Sequence, residues 1–272
     1  MMKWFLTGDW HVPYHDNRAL TAMLQALYEE KPTHIGLMGD LIDFYSLSHY
    51  LRNPSRIHRL QEDIDRLVLI LHIVRNYAPQ AKIYYLIGNH EDRLRRFLWR
   101  TPELVSLRAL SLPILLNLER EKIELVPEPA LFVSSQFVIT HGTCVRKRSG
   151  YTAHAEIERF GLSGASGHTH RLAFITKRYP KQLLRWIETG CLCQLSSEYC
   201  PYPDWQHGYG IAVLSKSGEL LLLEARLLEP SRKVLDSLPV AESASLSTHY
   251  SPALEPVRRK RNGSREQESR VF

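Results

Sequence analysis

The first half of the chain alternates short apolar runs with longer amphipathic segments. The apolar runs are short enough to be strands, and each ends beside a glycine; they are residues 3–6, 34–38 and 83–87. Residues 16–30 and 55–77 repeat apolar side chains at the three- and four-residue spacing of a helix. The first of these segments begins with Asp16, which is predicted to be its N-cap. This alternation of strand and helix predicts an α/β sheet.

Strand patterns dominate the second half of the chain. Residues 94–118 are apolar and helical in spacing, but Pro102 and Pro113 interrupt them. A further helix is predicted at residues 152–160. The remaining apolar or alternating runs favour strands; they are residues 123–126, 131–133, 137–140, 172–179, 183–188, 211–214 and 220–225.

From about residue 238 the composition changes to Ser, Pro, Glu and Arg. We therefore predict one domain over residues 1–238 and a disordered tail over residues 239–272. No run approaches the roughly 18 uncharged apolar residues of a membrane span, and the N-terminal apolar run is too short for a secretory signal. Four cysteines in a chain of 272 residues do not make a disulfide scaffold, so a cytoplasmic protein with reduced thiols is expected.

Five short motifs place a glycine beside a potential metal ligand, each next to the end of an apolar run. They are Gly8-Asp9-Trp10-His11, Gly39-Asp40-Leu41-Ile42-Asp43, Gly88-Asn89-His90-Glu91, Thr140-His141-Gly142 and Gly167-His168-Thr169-His170. Open α/β sheets bind ligands at the carboxyl ends of their strands, and a glycine allows the sharp turn that a cleft requires. Side chains two positions apart on an extended segment share a face, so the Asp-x-His and His-x-His pairs can act together.

The motifs supply carboxylate, imidazole and amide donors, a mixed set that suits divalent transition metals. The candidate metal ligands are Asp9, His11, Asp40, Asn89, His141, His168 and His170. Because a single zinc ion takes about four ligands, this number indicates two ions that share a bridging group. Two such ions would activate the water between them and stabilise the attacking and leaving oxygens of a phosphoryl displacement. Mn²⁺ is the expected metal, with Fe, Zn and Ni as alternatives.

In this order, the five motifs resemble those of the calcineurin-like metallophosphoesterase superfamily, over residues 4–170. The resemblance implies an α/β fold in which helices flank a two-sheet β-sandwich. It implies that His90 is catalytic and contacts the scissile phosphate, either protonating the leaving oxygen or stabilising charge. It also implies a division of the ligands between two ions. The first ion would have Asp9, His11 and His170, the second would have Asn89, His141 and His168, and Asp40 would bridge them.

Departures from the superfamily pattern bear on the substrate. Its phosphoprotein phosphatases carry arginines beside two of the motifs, where this chain has Phe44 after Asp43 and Ile87 before the third motif. Because guanidinium groups bind dianionic phosphate bidentately, their absence favours a phosphodiester over a phosphomonoester. Residues 190–210 resemble a segment of the phage- and prophage-type, exonuclease-like phosphoesterases, and this segment adds His207 as a candidate substrate-binding residue.

We therefore expect a dinuclear metal-dependent phosphodiesterase or nuclease that acts on DNA, RNA or a nucleotide. A formal net charge of +6 agrees with an anionic substrate but is weak support for one. A phosphomonoesterase that acts on nucleotides or phosphoproteins stays open, as does a non-catalytic, metal-stabilised binding module.

Of the remaining polar residues, Glu91 and Asp92 are assigned to the first turn of a helix, and Asp43 to the support of a ligand. Cys191 and Cys193 are assigned to buried thiols, because a lone Cys-x-Cys is a weak zinc signal.

Overall fold

The computed structural model describes residues 1–56, 59–196, 200 and 202–229. The predicted tail, residues 239–272, lies outside these residues, and so does the end of the predicted domain. Among the helices of the described residues, none is long and apolar enough to cross a membrane.

Strands make up most of the regular structure. In chain order they are β1 (Met2–Thr7), β2 (His34–Leu37), β3 (Lys82–Leu86), β4 (Ile123–Val126), β5 (Ala130–Phe132), β6 (Phe137–Thr140), β7 (Ser163–Ser166), β8 (Leu172–Tyr179), β9 (Gln182–Thr189), β10 (Gly208–Leu214) and β11 (Leu220–Leu227). The helices are α1 (Asn17–Glu30), α2 (Leu60–Tyr77), α3 (Asp92–Trp99), α4 (Leu112–Leu115) and α5 (Tyr151–Phe160). Short 3₁₀ helices lie at Tyr45–Leu47, Pro54–Arg56, Pro102–Leu104 and Arg108–Leu110.

The strands form two mixed sheets. The first has the order β11-β10-β1-β2-β3-β4, in which β1 to β4 run parallel and β10 pairs antiparallel with both β1 and β11. The second has the order β5-β6-β7-β9-β8, in which β6, β7 and β9 run parallel. Within each sheet the parallel strands therefore end at the same edge, and ligands bind at the carboxyl ends of such strands.

Hydrophobic residues fill the space between the two sheets, and further hydrophobic clusters cover the outer face of each sheet. Phe5 and Leu6 are neighbours on β1 and point to opposite sides, as successive strand residues do. Phe5 belongs to the core under α1 and α2, whereas Leu6 packs with Ile139 and Ile187 of the second sheet. A third cluster joins Trp186 of the second sheet to α5. The result is a two-sheet sandwich flanked by helices, which confirms the expected fold.

Prolines and small residues explain where the predicted elements differ from the observed ones. The helix predicted over residues 94–118 is interrupted, because α3 ends at Trp99 and Pro102 opens a 3₁₀ turn. The helix predicted from residue 55 begins at Leu60, after a separate 3₁₀ turn. Strand β7 has the sequence Ser-Gly-Ala-Ser and was not predicted, because it lacks the branched or aromatic residues that mark strands.

The smallness of β7 leads to a prediction about stability. A Cβ on Gly164 would lie 2.4 Å from Cζ3 of Trp186 and 2.6 Å from the carbonyl oxygen of Val138. We expect Gly164→Ala to lower the free energy of unfolding, measured with urea, by about 2 kcal/mol through overpacking. Gly161→Ala is the control, because no atom lies within 4 Å of its Cβ and only its φ of +64° is unfavourable. That variant is expected to lose about 1 kcal/mol. Equal losses in the two variants would contradict the packing argument.

Candidate metal centre

The candidate ligands come from five loops, each at the carboxyl end of a strand. Loops after β1, β2 and β3 carry the first three motifs, and loops after β6 and β7 carry the other two. Donor atoms within 4.8 Å of one another form overlapping groups: Asp9, His11 and His170; His11, Asp40 and His90; and Asp40, His141 and His168. The structure therefore brings these sequence-predicted residues together at one place.

One half of the cluster lies after β1 and β7. The two Nε2 atoms of His11 and His170 face each other at 3.0 Å. Oδ1 of Asp9 lies 3.4 Å from Nε2 of His170 and 4.0 Å from Nε2 of His11. All three side chains are buried, so their polar atoms have little access to bulk water.

The other half joins the ends of β2, β3 and β6. Nε2 of His141 lies 3.0 Å from Oδ1 of Asn89 and 3.4 Å from Oδ2 of Asp40. The ring of His168 lies 5.0 Å, centroid to centroid, from the ring of His141. The same Oδ2 of Asp40 is 3.8 Å from Nε2 of His11, so Asp40 lies between the two halves.

Outer hydrogen bonds orient the imidazoles toward the cluster. Nδ1 of His11 donates to Oδ2 of Asp43 at 3.0 Å, and Nδ1 of His141 donates to the carbonyl oxygen of Met38 at 2.8 Å. When Nδ1 carries the proton, the lone pair of Nε2 points inward, which is the arrangement of metal-ligating histidines.

The donor set fits divalent cations. Oδ1 of Asp9 is fully buried and accepts no hydrogen bond from any described residue. A buried carboxylate oxygen that accepts no hydrogen bond is costly, and a cation at this position would remove the cost. Imidazole nitrogens, carboxylate oxygens and one amide oxygen around such a position are the ligand types of transition-metal sites.

Neighbouring carboxylates and burial have opposite effects on the pKa values of the histidines in the cluster. Burial alone would lower the pKa of His141, but the charge and hydrogen bond of Asp40, together with the charges of Asp9 and Glu91, outweigh burial and raise that pKa to about 10. Conversely, burial would raise the pKa of Asp40, yet His141 and His90 hold it well below its usual value. The protein therefore stabilises positive charge here, and bound protons and metal ions would compete for the same atoms.

Several candidate ligands have a strained backbone. The φ angle is positive at Asp9, His11, Asp40, His168 and His170, with values of 54°, 51°, 51°, 68° and 60°. Such conformations cost about 1–3 kcal/mol each in non-glycine residues and concentrate at functional sites.

Two neighbouring glycines are required for close approach rather than for a left-handed turn. A Cβ on Gly88 would lie 2.2 Å from Oδ1 of Asp40, and a Cβ on Gly167 would lie 2.4 Å from Oδ2 of Asp9. The sharp turns predicted at the motif glycines occur at Gly39 and Gly142, which have φ angles of 87° and 101°. At Asp9, Asp40 and His168 the ligand residue itself has a positive φ.

Glu91 has a larger role than the helix turn assigned to it from the sequence. It lies just before α3, and its buried carboxylate accepts hydrogen bonds from the backbone N–H groups of Asp40, Leu41 and Gly88 at 2.8–2.9 Å. The hydroxyl of Tyr85 donates to the same carboxylate at 2.7 Å. Burial, together with the charge of Asp40, raises the pKa of Glu91. Glu91 thereby ties the loop after β2 to the loop after β3.

Asp43 connects two histidines of the site to an arginine that the sequence reasoning missed. Its Oδ2 lies 3.0 Å from Nδ1 of His11 and 3.2 Å from Nδ1 of His90. Nη1 of Arg93 donates to Oδ1 of Asp43 at 2.9 Å, and Nη2 lies 3.2 Å from Nε2 of His90. The arginines of the superfamily pattern are adjacent to the motifs, whereas Arg93 reaches the site from the first turn of α3.

His207 lies apart from the converging donors of the described residues. It is buried, and its Nε2 donates to the carbonyl oxygen of Cys193 at 2.9 Å. The thiols of Cys191 and Cys193 are also buried, and Sγ of Cys193 lies 3.6 Å from Nδ1 of His170. These residues support the loop that carries His170, and substrate contact by His207 stays a prediction.

A cleft of about 650 Å³ opens beside one half of the cluster. Asn89, His141 and His168 form its polar end. The opposite wall is formed mainly by apolar side chains, among them Leu94, Leu98, Leu110 and Leu112. The cleft therefore has room for an organic group attached to a phosphate held at the cluster.

The position of Glu91 leads to a prediction about metal affinity. Glu91→Gln would place an amide N–H₂ among N–H donors, so we expect Mn²⁺ affinity to fall about tenfold or more, measured by isothermal titration calorimetry. Asp92→Asn is the control, because Asp92 bonds to Arg95 and Arg96 instead of to the ligand loops. Its Mn²⁺ affinity should stay within a factor of about two. If both variants bind Mn²⁺ as the wild type does, Glu91 does not position the ligands.

The sequence matches a known protein family and two phage proteins. Residues 2–172 match the model of the calcineurin-like phosphoesterase family. The Gene 54 protein of Mycobacterium phage D29 is 26% identical over 224 residues, which cover 75% of this chain and 86% of that protein. The Gene 54 protein of Mycobacterium phage L5 is also 26% identical, over 78% of this chain and 88% of that protein.

Solved structures with a similar arrangement include Vps29 from Chaetomium thermophilum, with 10% identity and a TM-score of 0.42 over 82% of this chain and 96% of that one. The phosphoesterase Yfce from E. coli has 13% identity and a TM-score of 0.38, over 82% of this chain and 99% of that one. The family model itself spans more than half of the 272 residues. The chain therefore belongs to the calcineurin-like phosphoesterase family.

Proposed function

We propose that this protein is a metal-dependent phosphodiesterase that hydrolyses diester bonds of nucleic acid or nucleotides. The observation that carries the proposal is the convergence of buried carboxylate, imidazole and amide donors on Asp40, with His90 beside it. Family membership supports phosphoester chemistry, and the diester preference rests on the residues discussed below.

Two divalent ions fit the donor set. We assign one to Asp9, His11 and His170 and the other to Asn89, His141 and His168, with Asp40 shared. When bound, such ions supply Lewis acidity toward phosphoryl oxygens and lower the pKa of a coordinated water. Mn²⁺ is the favoured ion, and Fe, Zn and Ni suit the same ligand types.

His90 and Arg93 supply positive charge beside the cluster. Burial would lower the pKa of His90, but the carboxylates of Asp40 and Asp43 raise it above its usual value. Nδ1 of His90 donates to the carbonyl oxygen of Asp43, so Nε2, which faces the cluster and Arg93, is the atom that would hold a proton for a leaving oxygen. The guanidinium of Arg93 lies next to that Nε2 and can attract a phosphate oxygen.

The surroundings favour a diester over a monoester. Arg93 lies beside His90, but it is paired with Asp43, so little net positive charge is left for a dianionic phosphate. A diester carries a single negative charge and two organic groups, and the cleft of about 650 Å³ has room for one of them. A mainly apolar wall suits the base of a nucleotide better than a bare phosphate.

Hydrolysis of a model diester tests the proposal. We expect purified protein to hydrolyse bis-p-nitrophenyl phosphate with Mn²⁺ and to lose this activity in EDTA. p-Nitrophenyl phosphate, the matched monoester, is expected to react more slowly because the site lacks a strong clamp for a dianion. Faster hydrolysis of the monoester would favour a phosphomonoesterase. Metal binding without turnover of either ester would favour a non-catalytic binding module.

Two substitutions separate metal binding from chemistry. We expect His90→Ala to keep its Mn²⁺ affinity and to lose turnover of the diester by about 10²–10⁴-fold, as for removal of a general acid. Asp40→Asn removes charge shared by both halves, so its Mn²⁺ affinity should fall. Metal content by mass spectrometry and initial rates would be measured on the same samples.

His154→Ala is the matched control for these substitutions, because His154 is an exposed histidine on α5. Both its metal content and its rate are expected to equal those of the wild type. Full turnover in His90→Ala would remove the catalytic role from His90. Unchanged metal content in Asp40→Asn would remove the bridging role from Asp40.

A further inference from the structure

We propose that the outer face of α3, together with the loop over residues 44–56, binds single-stranded nucleic acid and leads it to the site. This face is called the basic strip and is defined by His49, Arg93, Arg96, Phe97 and Arg100, with the exposed Trp99 of α3 beside them. The inference rests on the proposed function and specifies its substrate class, a polymeric single strand rather than a mononucleotide.

The two segments carry an excess of positive charge. Residues 44–56 and 93–102 contain no Asp or Glu. Their basic side chains are Arg52, Arg56, Arg93, Arg95, Arg96 and Arg100. Asp43 pairs with Arg93, and Asp92 pairs with both Arg95 and Arg96. Three of these arginines share only two carboxylates, and Arg52 and Arg100 add further positive charge to a surface that attracts a phosphate backbone.

The two faces of α3 line two different cavities. Positions 93, 96, 97 and 100 share a face and line a depression of about 130 Å³ with Leu47 and His49. Positions 91, 94, 95 and 98 line the cleft beside the metal centre instead. The basic strip is thus separate from the cleft but meets the site at Arg93, whose Nη2 lies 3.2 Å from Nε2 of His90.

Exposed aromatic side chains are interleaved with these arginines. Tyr50, Phe97 and Trp99 are 68%, 41% and 61% exposed. The guanidinium carbon of Arg95 lies 4.6 Å from the ring centroid of Trp99. Aromatic platforms beside arginines are the features that bind single strands, because unpaired bases stack on the rings while phosphates meet the guanidinium groups.

The length of the strip favours a polymer. Helix α3 has 8 residues, so its axis extends about 12 Å away from His90. A mononucleotide held at the metal centre would not use the far end of this surface, whereas a strand could contact both. A duplex hides its bases, so it could not stack on Trp99 or Phe97.

Binding without hydrolysis tests the inference independently of the proposed function. Fluorescence anisotropy would measure the affinity of full-length protein for a labelled oligothymidylate in EDTA, at several KCl concentrations. We expect Arg96→Ala/Arg100→Ala to weaken binding about tenfold or more and to lower the slope of log affinity against log salt by about 1.4, roughly 0.7 for each lost phosphate contact. Trp99→Ala is expected to weaken binding by about tenfold, through loss of base stacking.

Controls come from the edge strand β8 of the second sheet. Phe174 is 48% exposed and Arg178 is also exposed, so Phe174→Ala and Arg178→Ala match the tested changes in type and setting. Both controls should bind the oligonucleotide as the wild type does. Thermal denaturation of every variant would show that the surface substitutions leave the fold intact.

Three results would overturn the inference. They are equal oligothymidylate binding by the strip variants and the β8 controls, equal binding of a duplex of the same length, and binding of phosphatidylserine vesicles through the same residues in place of the oligonucleotide. Turnover of bis-p-nitrophenyl phosphate by the wild type reports on the proposed function alone. A protein that hydrolyses the diester but shows no strip-dependent binding would therefore refute only the inference.

Discussion

The buried carboxylate of Asp40 is the group around which the site is arranged. Its Oδ1 accepts a hydrogen bond from the backbone N–H of His90 at 2.8 Å, and its Oδ2 faces His141 and His11 at 3.4 and 3.8 Å. Burying an uncompensated carboxylate is costly, so its neighbours must supply positive charge or donors. The carboxylate of Glu91 accepts a hydrogen bond from the backbone N–H of Asp40. The absence of a side chain at Gly88 leaves room for the carboxylate of Asp40.

Packing between the two sheets allows this arrangement to persist. Residues such as Leu6, Ile139 and Ile187 join the first sheet to the second, so loops from both sheets are held at one edge. Positive φ angles at Asp9, Asp40 and His168 cost free energy that the surrounding core must offset. A rigid support of this kind keeps donor atoms in place before any cation or substrate arrives.

The sequence predicted those features that depend on a characteristic residue and its immediate neighbours in the chain. Asp9, Asp40 and His168 each follow a glycine, and Asp16 caps α1 as expected from its position, accepting from the N–H of Arg18 and Ala19. Most strands were predicted to within two residues, because burial on one or both faces leaves an apolar pattern. Strand β7 was missed because its small residues are buried beneath Trp186, a contact that no local pattern records.

The sequence alone supplied the candidate donor residues and the order of their motifs, which are local properties, and it predicted the family and the two-sheet α/β class through the resemblance that these motifs carry. Tertiary structure decided how those donors meet, since their distances depend on the packing of two sheets. It also decided what Glu91 and Arg93 do, because their partners lie up to 51 residues away in the chain. The basic strip also depends on the tertiary structure, because its residues come from two segments of the chain that only the fold brings together.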